Sequence, residues 1–203
     1  MAQEIFQRRW SSLVFTVGPI IDITYSAQYD MIDLKVIEWA WFLIQNRRVK
    51  AVALEPPYAT FSPAAYPPCK RYSVPRGFNR SSPKVWVGNR LAFACLLLLF
   101  AAAFSEAMAL LETPRRSKMA RLQEWRRLLA LPNVEEVFTA SCSFGSEFQK
   151  EFRFLVCNMR AQSICRPCAR DHQHVRIQGS LTKGSAVYCL GLARALAALL
   201  QST

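Results

Sequence analysis

Short β-rich apolar runs alternate along the chain with stretches whose apolar positions recur every three to four residues, and this pattern predicts a sheet with helices packed on it. Leu13 to Val17 and Ile20 to Ile23 read as strand segments around Gly18-Pro19. Asp33 to Gln45 reads as a helix, with Asp33 near its start and Val36, Ile37, Ala40, Phe42, Leu43 and Ile44 mostly inward. Val49 to Glu55 is the clearest strand, and it must end at Pro56-Pro57, which lack the N–H a ladder needs. Further along, Leu91 to Ser105 predicts a helix, Ala107 to Leu111 a buried strand, and Lys118 to Leu131 a basic amphipathic helix stopped by Pro132. Val134 to Ala140 and Phe152 to Cys157 are two more strands, joined by a turn containing Gly145, and Tyr188 to about Leu200 is a closing Ala- and Leu-rich helix.

A chain of 203 residues fits a single domain, 1-203. Within it, 56-90 is rich in Pro, Ser and aromatics and reads as a long functional loop rather than a linker. The most apolar run, Leu91 to Phe104, has fourteen residues, short of the ~20 that span a bilayer, so it reads as a core helix with no membrane role. A net charge of +12 suits a polyanionic partner, and equally a membrane surface or merely a soluble basic protein, so charge alone does not choose. Seven scattered cysteines and no secretory pattern at Met1-Ala2-Gln3-Glu4 point to an intracellular, reducing compartment, nuclear if the source is eukaryotic, and not to secretion.

Chemistry concentrates at Leu54-Glu55-Pro56-Pro57-Tyr58-Ala59-Thr60-Phe61-Ser62. This stretch resembles the Pro-Pro-Cys-x-x-Phe-Ser signature of the cytosine-5 DNA methyltransferases, with Tyr58 where the nucleophilic Cys stands. Three further segments resemble the same family in the same order. Glu112 in Ala109-Leu110-Leu111-Glu112-Thr113-Pro114 matches the family's Glu that hydrogen-bonds the target cytosine. Phe144-Gly145, Gln149 and Arg153 resemble the Tyr-Gly-x-Pro-Gln-x-Arg-x-Arg segment, which gives Arg153 the part of a substrate-contacting arginine. Arg176-Ile177-Gln178-Gly179 and Gly184-Ser185-Ala186-Val187 resemble the Arg-Leu-Gln-Gly and Gly-Asn-Ala-Val elements. The resemblance therefore implies S-adenosylmethionine as cofactor, held at Pro56, Pro57, Ser185, Ala186 and Val187, and DNA as partner.

It also implies an α/β, Rossmann-like methyltransferase fold, a three-layer sheet with helices on both faces. Only Val14-Phe15-Thr16-Val17-Gly18 is similar to the family's cofactor loop, so the first strand and that loop are expected to be missing, and a protein partner is expected to supply the absent N-terminal strand. About twenty residues separate Arg153 from Arg176, where a short insertion, 159-176, replaces a target-recognition domain. A phenol of pKa ~10 is a poor substitute for a thiolate, so Tyr58 predicts lost turnover. Glu55-Pro56-Pro57-Tyr58 is also similar to the Asp/Asn-Pro-Pro-Tyr/Phe motif of the amino methyltransferases of adenine N6 or cytosine N4, in which the aromatic stacks on an extruded base and no cysteine is needed. A non-catalytic nucleic-acid-binding module is the other alternative.

Two clusters bear on partners. Lys70, Arg71, Arg76, Arg80 and Lys84 alternate with Tyr66, Tyr72, Phe78 and Trp86, a mixture that can neutralise phosphates and stack on bases or simply form a solvated loop. Cys165-x-x-Cys168-x-x-x-His172-x-His174 gathers four zinc-type ligands within ten residues, among them both histidines of the chain; the competing reading is a polar loop with incidental thiols.

Overall fold

A computed structural model describes residues 17–175, 177 and 188–200. Helix α1, Leu34–Gln45, begins where Asp33 accepts a hydrogen bond from the Lys35 N–H at 2.9 Å, as an N-cap should. Its buried residues are Val36, Ile37, Ala40 and Ile44, a single stripe, while Phe42 points to solvent and Leu43 is only half-buried. Strand β1, Ala51–Leu54, follows and stops before the two prolines. Ile20 to Ile23 is not a strand but leads into a turn, and nearly all of Leu13 to Val17 lies outside the described residues.

Helix α2 runs Pro83–Ser105 and is thus eight residues longer at its start than the apolar pattern suggests. Pro83 occupies the first turn, where its missing N–H costs nothing, and Glu106 closes the helix with a left-handed φ of 63°. The loop after β1 therefore ends at Ser82, and Lys84 and Arg90 are helical. By length and composition α2 is apolar enough to cross a membrane, yet half of its most apolar window is buried within the protein.

Strand β2 is Met108–Pro114. The expected single helix at Lys118 to Leu131 is broken: a 3-10 turn, Lys118–Arg121, is separated from α3, Gln123–Leu129, by extended Leu122 with ψ 146°. Strands β3, Val134–Ala140, and β4, Glu151–Cys157, lie close to their expected limits, and α4 is Leu190–Leu199.

The four strands are ordered β1-β2-β4-β3. β1 and β2 are parallel, and β4 runs antiparallel between β2 and β3. This mixed α/β sheet is compatible with a Rossmann-like fold. Among the described residues β1 pairs only with β2, so its other edge carries no strand.

Register assigns every side chain to one of two faces, because strand residues alternate. Leu54, Ala109, Leu111, Leu155 and Cys157 pack with α1, α2 and α3, while Leu110, Phe152, Phe154 and Val156 pack with α4. Helices thus cover both faces. On the first face Leu99 and Trp125 are fully buried; burying a side chain of this size contributes about 2 kcal/mol or more.

Candidate active site: a strand-end carboxylate group and a Cys/His cluster

Glu55 directly follows β1 and Glu112 lies in the C-terminal half of β2, on the face covered by α4. The C-terminal ends of adjacent parallel strands are where open α/β sheets place ligands. Glu112 is 7 % exposed. The Tyr188 hydroxyl, two residues before α4, donates to Glu112 Oε2 at 3.1 Å, while Oε1 is buried with no hydrogen-bond partner. Burial, and secondarily the charge of Glu55, push the Glu112 carboxyl up to about 7, against the opposing pull of Lys150 and Tyr188. Glu55 stands at the rim. Its side chain reaches solvent but its carboxylate is enclosed enough that burial raises its pKa, while a hydrogen bond with Tyr188 and the charge of Lys150 oppose the rise.

Tyr58 is 36 % exposed. Its phenol is pushed up by burial and then by the charges of Glu112 and Glu55, so ionisation at neutral pH is disfavoured further than in a free tyrosine. Its backbone carbonyl accepts from the N–H groups of Phe61 and Ser62, closing a tight turn. Phe61 is fully buried in the first-face core, and the Lys118 ammonium donates to the Ser62 carbonyl at 2.9 Å. Phe61 and Ser62 of the signature therefore hold the loop, with Tyr58 at its exposed tip. Pro56 is buried and Pro57 exposed.

Two expected members are elsewhere. Arg153 is in register with Thr113 and Phe138, on the face opposite Glu112. There it pairs with Glu136 at 3.4 Å and stacks over Phe138, which corrects its assignment beside Glu112. Gln149 is exposed and outside the group; its neighbour Lys150 faces the carboxylates instead. Ser185, Ala186 and Val187 lie outside the described residues. Lys150 and Tyr188 were missed because neither stands at a position aligned with the family pattern, although each adjoins one.

The basic loop divides as well. Lys70 is 1 % exposed, bonded to Asn89 and 3.2 Å from the centre of the Phe61 ring, so it is a core residue and not a phosphate contact. Burial lowers its pKa to about 8. Arg71 stacks on Phe78, Arg76 pairs with Glu124, and Arg80 and Lys84 are exposed. Arg76, Arg80 and Arg90 rim a groove of about 280 Å³ floored by Trp86, Phe93 and Leu96.

The Cys/His segment forms a real cluster, but with one member exchanged. Cys142, Cys168, His172 and His174 place one ligand atom each within 4.8 Å of every other, an arrangement that can hold a metal ion. Cys165 is exposed and outside it, which corrects its assignment as a ligand. Cys142 comes from the 3-10 turn Ser141–Phe144 that follows β3, far from the others in sequence.

Comparison with models of known families, with curated proteins and with solved structures found no match.

Proposed function

We propose that the chain is a DNA cytosine-5 methyltransferase-like protein, S-adenosylmethionine-dependent by ancestry, that holds a base at the ends of β1 and β2 without methylating it. The observation that carries this reading is the Glu112 carboxyl: buried, bonded on one oxygen by Tyr188, and partnerless on the other. A carboxyl titrating near 7 is present in both forms at neutral pH. Protonated, it donates to a ring nitrogen; ionised, it accepts from an exocyclic amine, so it suits the edge of a cytosine. Tyr58, half-exposed at the loop tip beside two acids, supplies a stacking face but no nucleophile. The exposed cations Arg71, Arg80 and Lys84 suit a nucleic-acid backbone.

The exposure of Tyr58 also favours a second reading, an amino methyltransferase that uses Glu55 and Tyr58 on an adenine or cytosine amine. Cofactor affinity separates the two. Calorimetry with S-adenosylmethionine is expected to give no heat of binding, and labelled methyl groups are expected to stay off DNA with both the wild-type protein and Tyr58→Cys. Clear cofactor binding with transfer to an exocyclic amine would establish the second reading. Transfer to cytosine C5 by the wild-type protein would contradict the loss of chemistry at Tyr58.

A further inference from the structure

The geometry points to a structural zinc site formed by Cys142, Cys168, His172 and His174, which staples the turn after β3 to the segment that follows β4. It stands independently of any methyltransferase ancestry. Both histidines of the chain and two of its seven cysteines converge on one point. With Zn–S near 2.3 Å and Zn–N near 2.0–2.1 Å, a tetrahedral Cys₂His₂ site places its ligand atoms roughly 3.3 to 3.8 Å apart. The Cys168 Sγ to His174 Nε2 distance is 3.4 Å, already in that range, and no pair exceeds 4.8 Å, so closure around an ion needs shifts of only about 1 Å.

The surroundings are those a zinc thiolate uses. Arg170 adopts a left-handed backbone with φ 62°, and its N–H donates to Cys168 Sγ at 3.3 Å. Asp171 Oδ1 lies 2.7 Å from His172 Nδ1, a carboxylate contact that fixes the ring and leaves the other nitrogen for a metal. The segment is held in place from several sides. Ala140 N–H donates to the Arg166 carbonyl at 2.8 Å, Ser143 Oγ to the Pro167 carbonyl at 2.9 Å, and Val175 N–H to the Glu147 carbonyl at 2.9 Å. Four protein ligands leave no open coordination position, so the ion is structural and not a water activator.

The stapled turn also packs against the start of α4. Cys189 Sγ lies 3.5 Å from the carbonyls of Ser141 and Phe144, and a Cβ at Gly191 would meet the Phe144 carbonyl at 2.2 Å. Turn and α4 therefore touch directly, just beyond Tyr188, which bonds Glu112. Metal loss at the cluster is expected to reach Tyr188 and Glu112 through this contact.

The test uses full-length protein purified without a His tag and supplied with zinc during expression. Elemental analysis is expected to give one zinc per chain. Mass-spectrometric alkylation of the native protein is expected to label exposed Cys165 at once, and Cys142 and Cys168 only after a chelator is added. Cys142→Ser and His174→Ala are each expected to lower the zinc content at least tenfold, whereas Cys165→Ser retains it. Absence of zinc, a Cys142–Cys168 disulfide in its place, or chelator-dependent protection of Cys165 with Cys142 open would each overturn the assignment. Because the alkylation pattern is read on the wild-type chain, misfolding of a variant does not obscure the answer.

Discussion

The strand-end carboxylate group and the Cys/His cluster are built in opposite ways. The carboxylate group rests on β1 and β2, whose register and buried apolar neighbours set the position of Glu112. The cluster rests on a turn and a loop joined by hydrogen bonds, which bring its four ligand atoms together without a sheet to fix them. The first site has a sheet for its frame and no thiol beside its carboxylates; the cluster has a frame of loops and four side chains that can hold a metal. Stability at the first site should therefore depend on packing, and at the second on a metal.

The largest expected effect separates the two. Phe154 is fully buried and pairs with Glu112 across β2 and β4. Phe154→Ala should cost about 3–5 kcal/mol in urea unfolding, and the folded fraction should retain its zinc. Loss of zinc from that folded fraction would show that the ligand cluster depends on sheet packing as well as on the metal. Chelation is next: removing a structural zinc should lower Tm by about 10 °C in a scan with and without chelator. An unchanged Tm would leave the cluster a polar loop.

The third effect is a pH dependence. Glu112 titrates near 7 when folded and near 4.5 when not, so in that window the native state binds more protons and stability falls as pH rises. The loss begins near pH 4.5 and is complete above 7, amounting to at most about 3 kcal/mol. Glu112→Gln should remove most of this slope, stabilising the protein at pH 8 and not at pH 4, as urea midpoints at the two pH values would reveal. An identical slope in the variant would place the burden of burial elsewhere. Smallest is Cys165→Ser, expected to shift stability by less than about 0.5 kcal/mol because the residue is exposed.

Much of the frame was legible. Helix α1 announced itself through Asp33 and a 3.6-residue stripe, and β1 through its apolar run and the prolines that end it. The start of α2 was hidden because Lys84, Trp86 and Arg90 lie on a half-exposed surface and look like loop, although Pro83 is a good first-turn residue. The break at Leu122 left no mark, since its backbone is set by tertiary packing of a buried leucine.

Site membership was harder to read because it depends on distant pairings. Arg153 and Phe152 are neighbours in sequence yet face opposite sides of the sheet, and only the register with β2 and β3 tells which side holds Glu112. Local spacing gathered Cys165 with Cys168; the fold instead brings in Cys142 from the end of β3. Lys70 looked like any cation of a basic loop, and burial against Phe61 made it a core residue.

The most direct test of the proposal that Glu112 recognises a base without modifying it is equilibrium binding of a cytosine-containing single-stranded oligonucleotide to the wild-type protein and to Glu112→Ala. Loss of a buried hydrogen-bonding carboxyl is expected to weaken binding about tenfold or more. Equal affinity of the two proteins would contradict the role given to Glu112.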